Sequence, residues 1–258
     1  MPQFAANLGW LFTEHPFLER FGAARAAGFE AVEFASPYSF PPEAIAAELE
    51  RHRLKCILFN LPMGERAKGD IGIACRPGRE PEFRDGVARA IAYAKALRCN
   101  RVNCISGRIF EGDDRVDLID RLVSNLGFAA REFKAAGIEL VVEPLNDQDN
   151  PDFLLPRSPE MAEVIASVGE SNVGLQFDIY HTAVMGDDPP ALIEGLRPVI
   201  RHVQFADAPG RGEPGTGRID IPPLFALLDR LGYDGWVSAE YRPSRRTEDT
   251  LAWLRGSD

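Results

Sequence analysis

The chain has 258 residues, 45% of them hydrophobic and 26% charged, the proportions of a compact soluble domain of enzyme size. Its formal net charge of -10 repels phosphate backbones, and the longest basic run, Arg245-Arg246, is followed by Glu248 and Asp249, so no nucleic-acid partner is expected. No stretch is long and apolar enough to cross a membrane, the first residues carry no basic segment ahead of an apolar one, and Cys56, Cys75, Cys99 and Cys104 form no CxxC pair; the reading is a cytoplasmic protein with reduced thiols and no membrane partner.

In chain order, Gln3 to Leu8 reads as a first strand and Pro16 to Ala27 as a helix closed by Gly28, where a left-handed cap is cheapest. Phe29 to Phe34 is a second strand, Pro41-Pro42 opens a helix through His52, and Leu54 to Leu61 is a third strand. Met63 to Arg79, rich in glycine and charge, has no period and reads as a long loop, a candidate lid. An amphipathic helix over Glu82 to Leu97 leads to a fourth strand at Arg101 to Ile105, and a long helix over Arg115 to Ala136 leads through Gly137 to a fifth. That fifth strand, Ile138 to Val142, is apolar throughout, as a strand buried on both faces must be, and Pro144 ends it just past Glu143. Ser158-Pro159-Glu160 reads as a helix start with Ser158 as the capping hydroxyl. Val173 to Phe177 is a sixth strand tipped by Asp178, Pro190 to Leu196 a short helix, and Val199 to Phe205 a seventh strand holding Gln204. After a glycine-rich loop, Pro222 to Leu231 is helical, Trp236 to Ala239 is an eighth strand tipped by Glu240, and Thr247 to Leu254 is a closing helix.

Eight strands alternating with helices in a chain of this length predict a single (β/α)8 TIM barrel spanning residues 1–258. A weak internal repeat supports this, Ala26-Ala-Gly-Phe-Glu-Ala-Val-Glu33 against Ala135-Ala-Gly-Ile-Glu-Leu-Val-Val-Glu143, whereas the GxGxxG turn of an open dinucleotide-binding sheet is missing after the first strand.

In such barrels the site lies at the carboxyl ends of the strands. The tips carry Asn7, Glu33, Asn60, Asn103, Glu143, Asp178, Gln204 and Glu240. Three carboxylates and an amide from the last four strands would be costly together without a cation, and an all-oxygen set suits Mg²⁺ or Mn²⁺ better than zinc. Glu143, Asp178, Gln204 and Glu240 are therefore the expected metal ligands. His181, three residues beyond Asp178, is a candidate substrate contact, while His202, two before Gln204 on the same face, reads as a hydrogen-bonded core histidine. Gly210 to Gly217 has the makings of an anion site, with close-approaching backbone N–H groups and Arg211 to fork onto a carboxylate. Asn60 and Glu33 complete the candidate substrate contacts.

The segments Asn60-Leu-Pro62, Gly72-Ile-Ala-Cys-Arg-Pro-Gly-Arg79, Glu82-Phe-Arg-Asp-Gly86, Glu143-Pro-Leu-Asn146, Asp178-Ile-Tyr-His181 and Arg211-Gly-Glu-Pro-Gly-Thr-Gly217 together resemble the hydroxypyruvate isomerases, within the wider xylose-isomerase-like barrels. The resemblance runs nearly end to end and implies a metal-dependent isomerisation of aldose–ketose type. It carries the family's four ligands onto Glu143, Asp178, Gln204 and Glu240, the four already picked out as strand tips. Phe59 stands where some relatives carry histidine and Arg218 where an acid is frequent, departures that bear on the choice of substrate. On this reading Glu143 and Glu240 exchange protons with hydroxypyruvate or a 2-oxo-tetronate, one as base and one as acid, in an order left open. A ketose 3-epimerase of the same superfamily is the alternative, weakened by Gln204 where those enzymes usually carry histidine. The partner is then a small 2-oxo or hydroxy acid; association into a homo-oligomer stays open.

Overall fold

Short apolar runs punctuated by glycine and proline become eight parallel strands that close into one barrel in chain order. They are β1 (Gln3–Asn7), β2 (Ala31–Phe34), β3 (Lys55–Asn60), β4 (Arg101–Cys104), β5 (Glu139–Val142), β6 (Val173–Asp178), β7 (Ile200–Phe205) and β8 (Trp236–Ala239), with β8 pairing back onto β1. The structure is a computed structural model that describes residues 2–255; residue 1 and residues 256–258 of the expected span lie outside them. Around the barrel run α1 (Arg20–Ala26), α2 (Pro42–His52), α3 (Glu80–Leu97), α4 (Arg115–Ala135), α5 (Ser158–Val168), α6 (Ile179–Val184), α7 (Pro189–Leu196), α8 (Ile221–Arg230) and α9 (Ala252–Arg255). Among the described residues no helix is long and apolar enough to cross a membrane.

The helices form where apolar residues recur at helical spacing. α3 buries Phe83, Val87, Ala90, Ala94 and Leu97, and α4 buries Leu118, Leu122, Leu126 and Phe133, each against the outer face of the sheet. The Asp114 carboxylate caps α4 by accepting from the Val116 and Asp117 N–H groups. Gly137, between α4 and β5, has a φ of 73°, a left-handed turn that glycine makes without strain. Arg53 and Arg98 make the same turn after α2 and α3 without glycine's freedom.

Several local details differ from expectation. Ser158 is the first residue of α5 and does not cap it; Arg157 holds the cap position, with no side-chain bond. The first helix opens with a 3-10 turn at Phe17–Glu19, and the last divides into a 3-10 turn at Thr247–Thr250 and α9. α6 has no signature in the sequence: six residues starting directly from a strand tip give no room for an apolar period. The long loop over 63–79 holds a 3-10 turn at Arg66–Lys68 and packs on the segment after β4. Its Cys75 N–H donates to the Ser106 carbonyl at 2.9 Å, and a Cβ on Gly72 would meet the Ile105 carbonyl oxygen at 2.2 Å.

Two register slips aim side chains into the barrel. One falls between Val32 and Glu33, opposite Cys56 and Leu58; the other puts one extra residue, Arg201, against the Leu175–Gln176 step. The second brings Gln176 level with His202 and Asp178 level with Gln204. The main apolar core lies between sheet and helices, and a small separate cluster of Ala5, Ala31 and Ile57 with Trp236 packs near the amino ends of the strands.

Candidate active site

The polar strand tips gather at the carboxyl end of the barrel. Asp178 closes β6 and at once begins α6: its Oδ1 accepts from the Tyr180 N–H at 2.7 Å and the His181 N–H at 3.4 Å. This cap folds the Asp178-Ile-Tyr-His181 segment back over the site, so that one ligand atom each of Glu143, Asp178 and His181 lie within 4.8 Å of one another, all buried. Gln204 stands beside Asp178 in the sheet, and Glu240 follows β8.

The Arg211 guanidinium lies between two of these carboxylates, its Nη2 3.3 Å from both Asp178 Oδ2 and Glu240 Oε2. It is stacked between the rings of Trp10, at 4.5 Å, and Tyr180, at 4.9 Å. Asp207, fully buried, builds the loop that delivers it, accepting from the backbone N–H groups of Ala208, Gly215, Gly217 and Ile219.

His181 has a determined tautomer. Its Nδ1 faces the Asn146 backbone N–H at 3.0 Å and must accept there, while burial and the nearby Arg211 charge hold the ring neutral by driving its pKa well below 6.5. The proton therefore sits on Nε2, which lies 3.1 Å from Arg211 Nη1. Two donors lie side by side, with Asp178 Oδ2 3.3 Å from Arg211 Nη2 and 3.7 Å from His181 Nε2; an acceptor bridging the pair from the open side would satisfy both.

Glu143 receives the Asn103 Nδ2 donor at 2.8 Å, and the same amide reaches Asn60 Oδ1 at 3.2 Å. Burial, then repulsion from Glu240 and Asp178, drives the Glu143 carboxyl well above its ordinary pKa. Glu240 is pushed up to about 8, chiefly by burial, with Arg211 opposing. Asp178 is also raised, by burial above all. Three crowded carboxyls that resist losing their protons, beside the Gln204 amide, form a donor set that a hard divalent cation fits.

The predicted residues divide by position. Glu143, Asp178, Gln204 and Glu240 come together at the tips, as do His181 and Arg211. Asn60 is joined to Glu143 through the Asn103 amide, and its side-chain nitrogen lies 3.7 Å from the Met63 sulfur. Glu33 differs from the expected substrate contact. It is 0% exposed and both its oxygens are taken by protein donors: Asn7 and Gln204 on Oε1, His202 on Oε2. His202 is the buried, hydrogen-bonded histidine that alternation along its strand predicted. Of the other residues at the site, Asn103 is visible in the sequence as a strand tip and Tyr180 and Asn146 inside motifs, whereas nothing near Trp10 or Asp207 in sequence marks their part.

Residues 21–257 match the family model described as xylose isomerase-like TIM barrel. A hydroxypyruvate isomerase of Escherichia coli strain K12 is 42% identical over 254 residues, covering 98% of either chain. A 2-oxo-tetronate isomerase of Cupriavidus necator is 39% identical over 255 residues, covering 99% of this chain and 98% of its own. A crystal structure from Brucella melitensis, described as an AP endonuclease of family 2, is 43% identical and superposes with a TM-score of 0.97 over 100% of this chain and 99% of its own.

Proposed function

The chain belongs to the xylose isomerase-like TIM-barrel family, and we propose that it is a metal-dependent isomerase interconverting hydroxypyruvate and tartronate semialdehyde, or the equivalent 2-oxo-tetronate pair. The observation that carries this reading is the pairing of two protonatable carboxyls, Glu143 and Glu240, with the neighbouring donors Arg211 and His181. The names of the Escherichia coli and Cupriavidus necator relatives agree with it.

Glu143, Asp178, Gln204 and Glu240 would hold a divalent cation, Mg²⁺ or Mn²⁺, which supplies Lewis-acid charge to the neighbouring ketone and hydroxyl oxygens of the substrate. Arg211 Nη1 and the His181 Nε2–H take the substrate's anionic or carbonyl oxygens. One of Glu143 and Glu240 removes a proton from the CH₂OH carbon, leaving an enediolate; the other returns a proton to the adjacent carbon, and a proton moves between the two oxygens. The carbonyl has then shifted by one carbon and no redox partner is required. The mouth of the barrel, with its buried carboxylates and a chain charge of -10, favours a small cation-bound acid over a DNA strand, the substrate that the Brucella protein's description would suggest. The four free, buried cysteines agree with a cytoplasmic setting.

The test is isomerisation of hydroxypyruvate, followed by coupled reduction of tartronate semialdehyde, on chelator-treated protein before and after Mg²⁺ or Mn²⁺ is restored. Turnover should appear only with metal. A 2-oxo-tetronate and free ketoses run alongside: activity on a ketose alone would move the reading to 3-epimerase, and turnover undiminished by chelation would remove the cation from it.

A further inference from the structure

Asn7, Glu33 and Gln204, with Gln176 and His202 two residues deeper in their strands than the Asp178 and Gln204 tips, form a second polar cluster inside the barrel, contributed by β1, β2, β6 and β7. Gln204 Nε2 donates to Glu33 Oε1 at 2.6 Å, and Gln204 Oε1 accepts from Gln176 Nε2, also at 2.6 Å. Glu33 takes two more donors, Asn7 Nδ2 on the same oxygen at 2.9 Å and His202 Nε2 on the other at 2.6 Å. All four partners are buried, and the two register slips that aim Glu33 inward and set Gln176 level with His202 are what allow them to meet. Asn7, Glu33, Gln176 and His202 are buried, so they act through Gln204.

We propose that Glu33, held in place by His202 and Asn7, is a positioning residue that determines which way round the Gln204 amide stands, so that its oxygen is the atom offered to a cation. The inference rests on Gln204 being a ligand, as read above. An amide can turn about its last bond with almost no change of shape, exchanging an oxygen acceptor for an NH₂ donor that a cation repels. A carboxylate surrounded by donors accepts only. The nitrogen of Gln204 is therefore the atom that can face it, and the oxygen is turned away. Of that oxygen's two lone pairs, Gln176 takes one and the other remains for a ligand bond. Such outer contacts commonly govern metal affinity by about 10–100-fold.

The experiment is Mn²⁺ titration of the chelator-treated protein, followed by electron paramagnetic resonance, which reads binding without turnover. Glu33→Gln keeps the shape but brings an NH₂ that Gln204 can face with its oxygen; Mn²⁺ affinity is expected to fall by about tenfold or more, with far-ultraviolet dichroism unchanged. Loss of one negative charge near the site would also weaken binding, so the same substitution is made in a Gln204→Glu background. There residue 204 has no amide to orient and repels Glu33, and Glu33→Gln should now strengthen binding. Weakening in both backgrounds would reduce Glu33 to a source of charge and overturn the proposal, as would unchanged affinity in the single variant. Glu33→Asp, which keeps the charge but shortens the reach to Gln204, is the arm to use if Glu33→Gln does not fold; full affinity there overturns the proposal equally. Failure of the unaltered protein to bind Mn²⁺ would be a different result, removing the metal reading itself together with what rests on it.

Discussion

The two oxygens of Asp178 face different partners: Oδ1 accepts from the Tyr180 and His181 N–H groups that begin α6, while Oδ2 looks across to Arg211. Asp178→Asn can keep the first function with its remaining oxygen and must present an NH₂ where the second oxygen was. The expected outcome is a folded protein, by circular dichroism and thermal melting, whose Mn²⁺ affinity falls by at least about tenfold in titration. Glu143 and Glu240 lend themselves to a complementary pair of substitutions. Each glutamine variant should lose about 10²–10⁴-fold in kcat, the usual worth of a positioned acid or base, and neither should unfold the barrel. A variant that keeps more than a tenth of wild-type kcat would remove that residue from the proton transfers.

At the scale of elements, the loop after β7 is organised by one side chain. Asp207 accepts from four backbone N–H groups of the half-buried loop, and at Gly217 an added Cβ would lie 2.3 Å from the Ala208 carbonyl oxygen. Asp207→Ala orphans these donors together; denaturant unfolding should show a loss of about 2–4 kcal/mol. KM should rise in the same variant more than kcat falls, because Arg211 loses its seat and no proton-transfer group is touched. Much at this scale was legible in the sequence. β8 appears at Trp236–Ala239 as predicted, and the polar tips follow from where each apolar run ends. What was not legible depends on partners far away in the chain: Glu33 and His202 meet across 169 residues, and no local pattern announces that Glu33 is closed in by donors. Short elements escaped for a related reason, since α6 is made by a side-chain cap and not by periodicity.

For the molecule as a whole, the same carboxyls that fit a cation are a burden without one. Glu240 has its pKa raised from 4.5 to about 8, and Glu143 and Asp178 are also raised. A carboxyl held above its unfolded value stabilises the fold below that unfolded value and loses the contribution as pH rises through the folded one. The metal-free protein is therefore expected to melt at progressively lower temperature as pH climbs from about 4.5 to about 8. Mn²⁺ should raise the melting temperature most at the upper end of that range, where protons no longer compete with it. A melting temperature that is flat across this range, or a Mn²⁺ effect larger at low pH, would contradict the electrostatic description of the site.

The most direct test of the central claim, proton transfer between two glutamates, is to follow hydroxypyruvate with the metal-loaded protein in deuterium oxide by nuclear magnetic resonance. Both carboxyls exchange with solvent, so the tartronate semialdehyde formed should carry deuterium on the carbon that was the ketone. Product that instead retains there the hydrogen lost from the CH₂OH carbon would point to direct hydride migration and contradict the two-glutamate account.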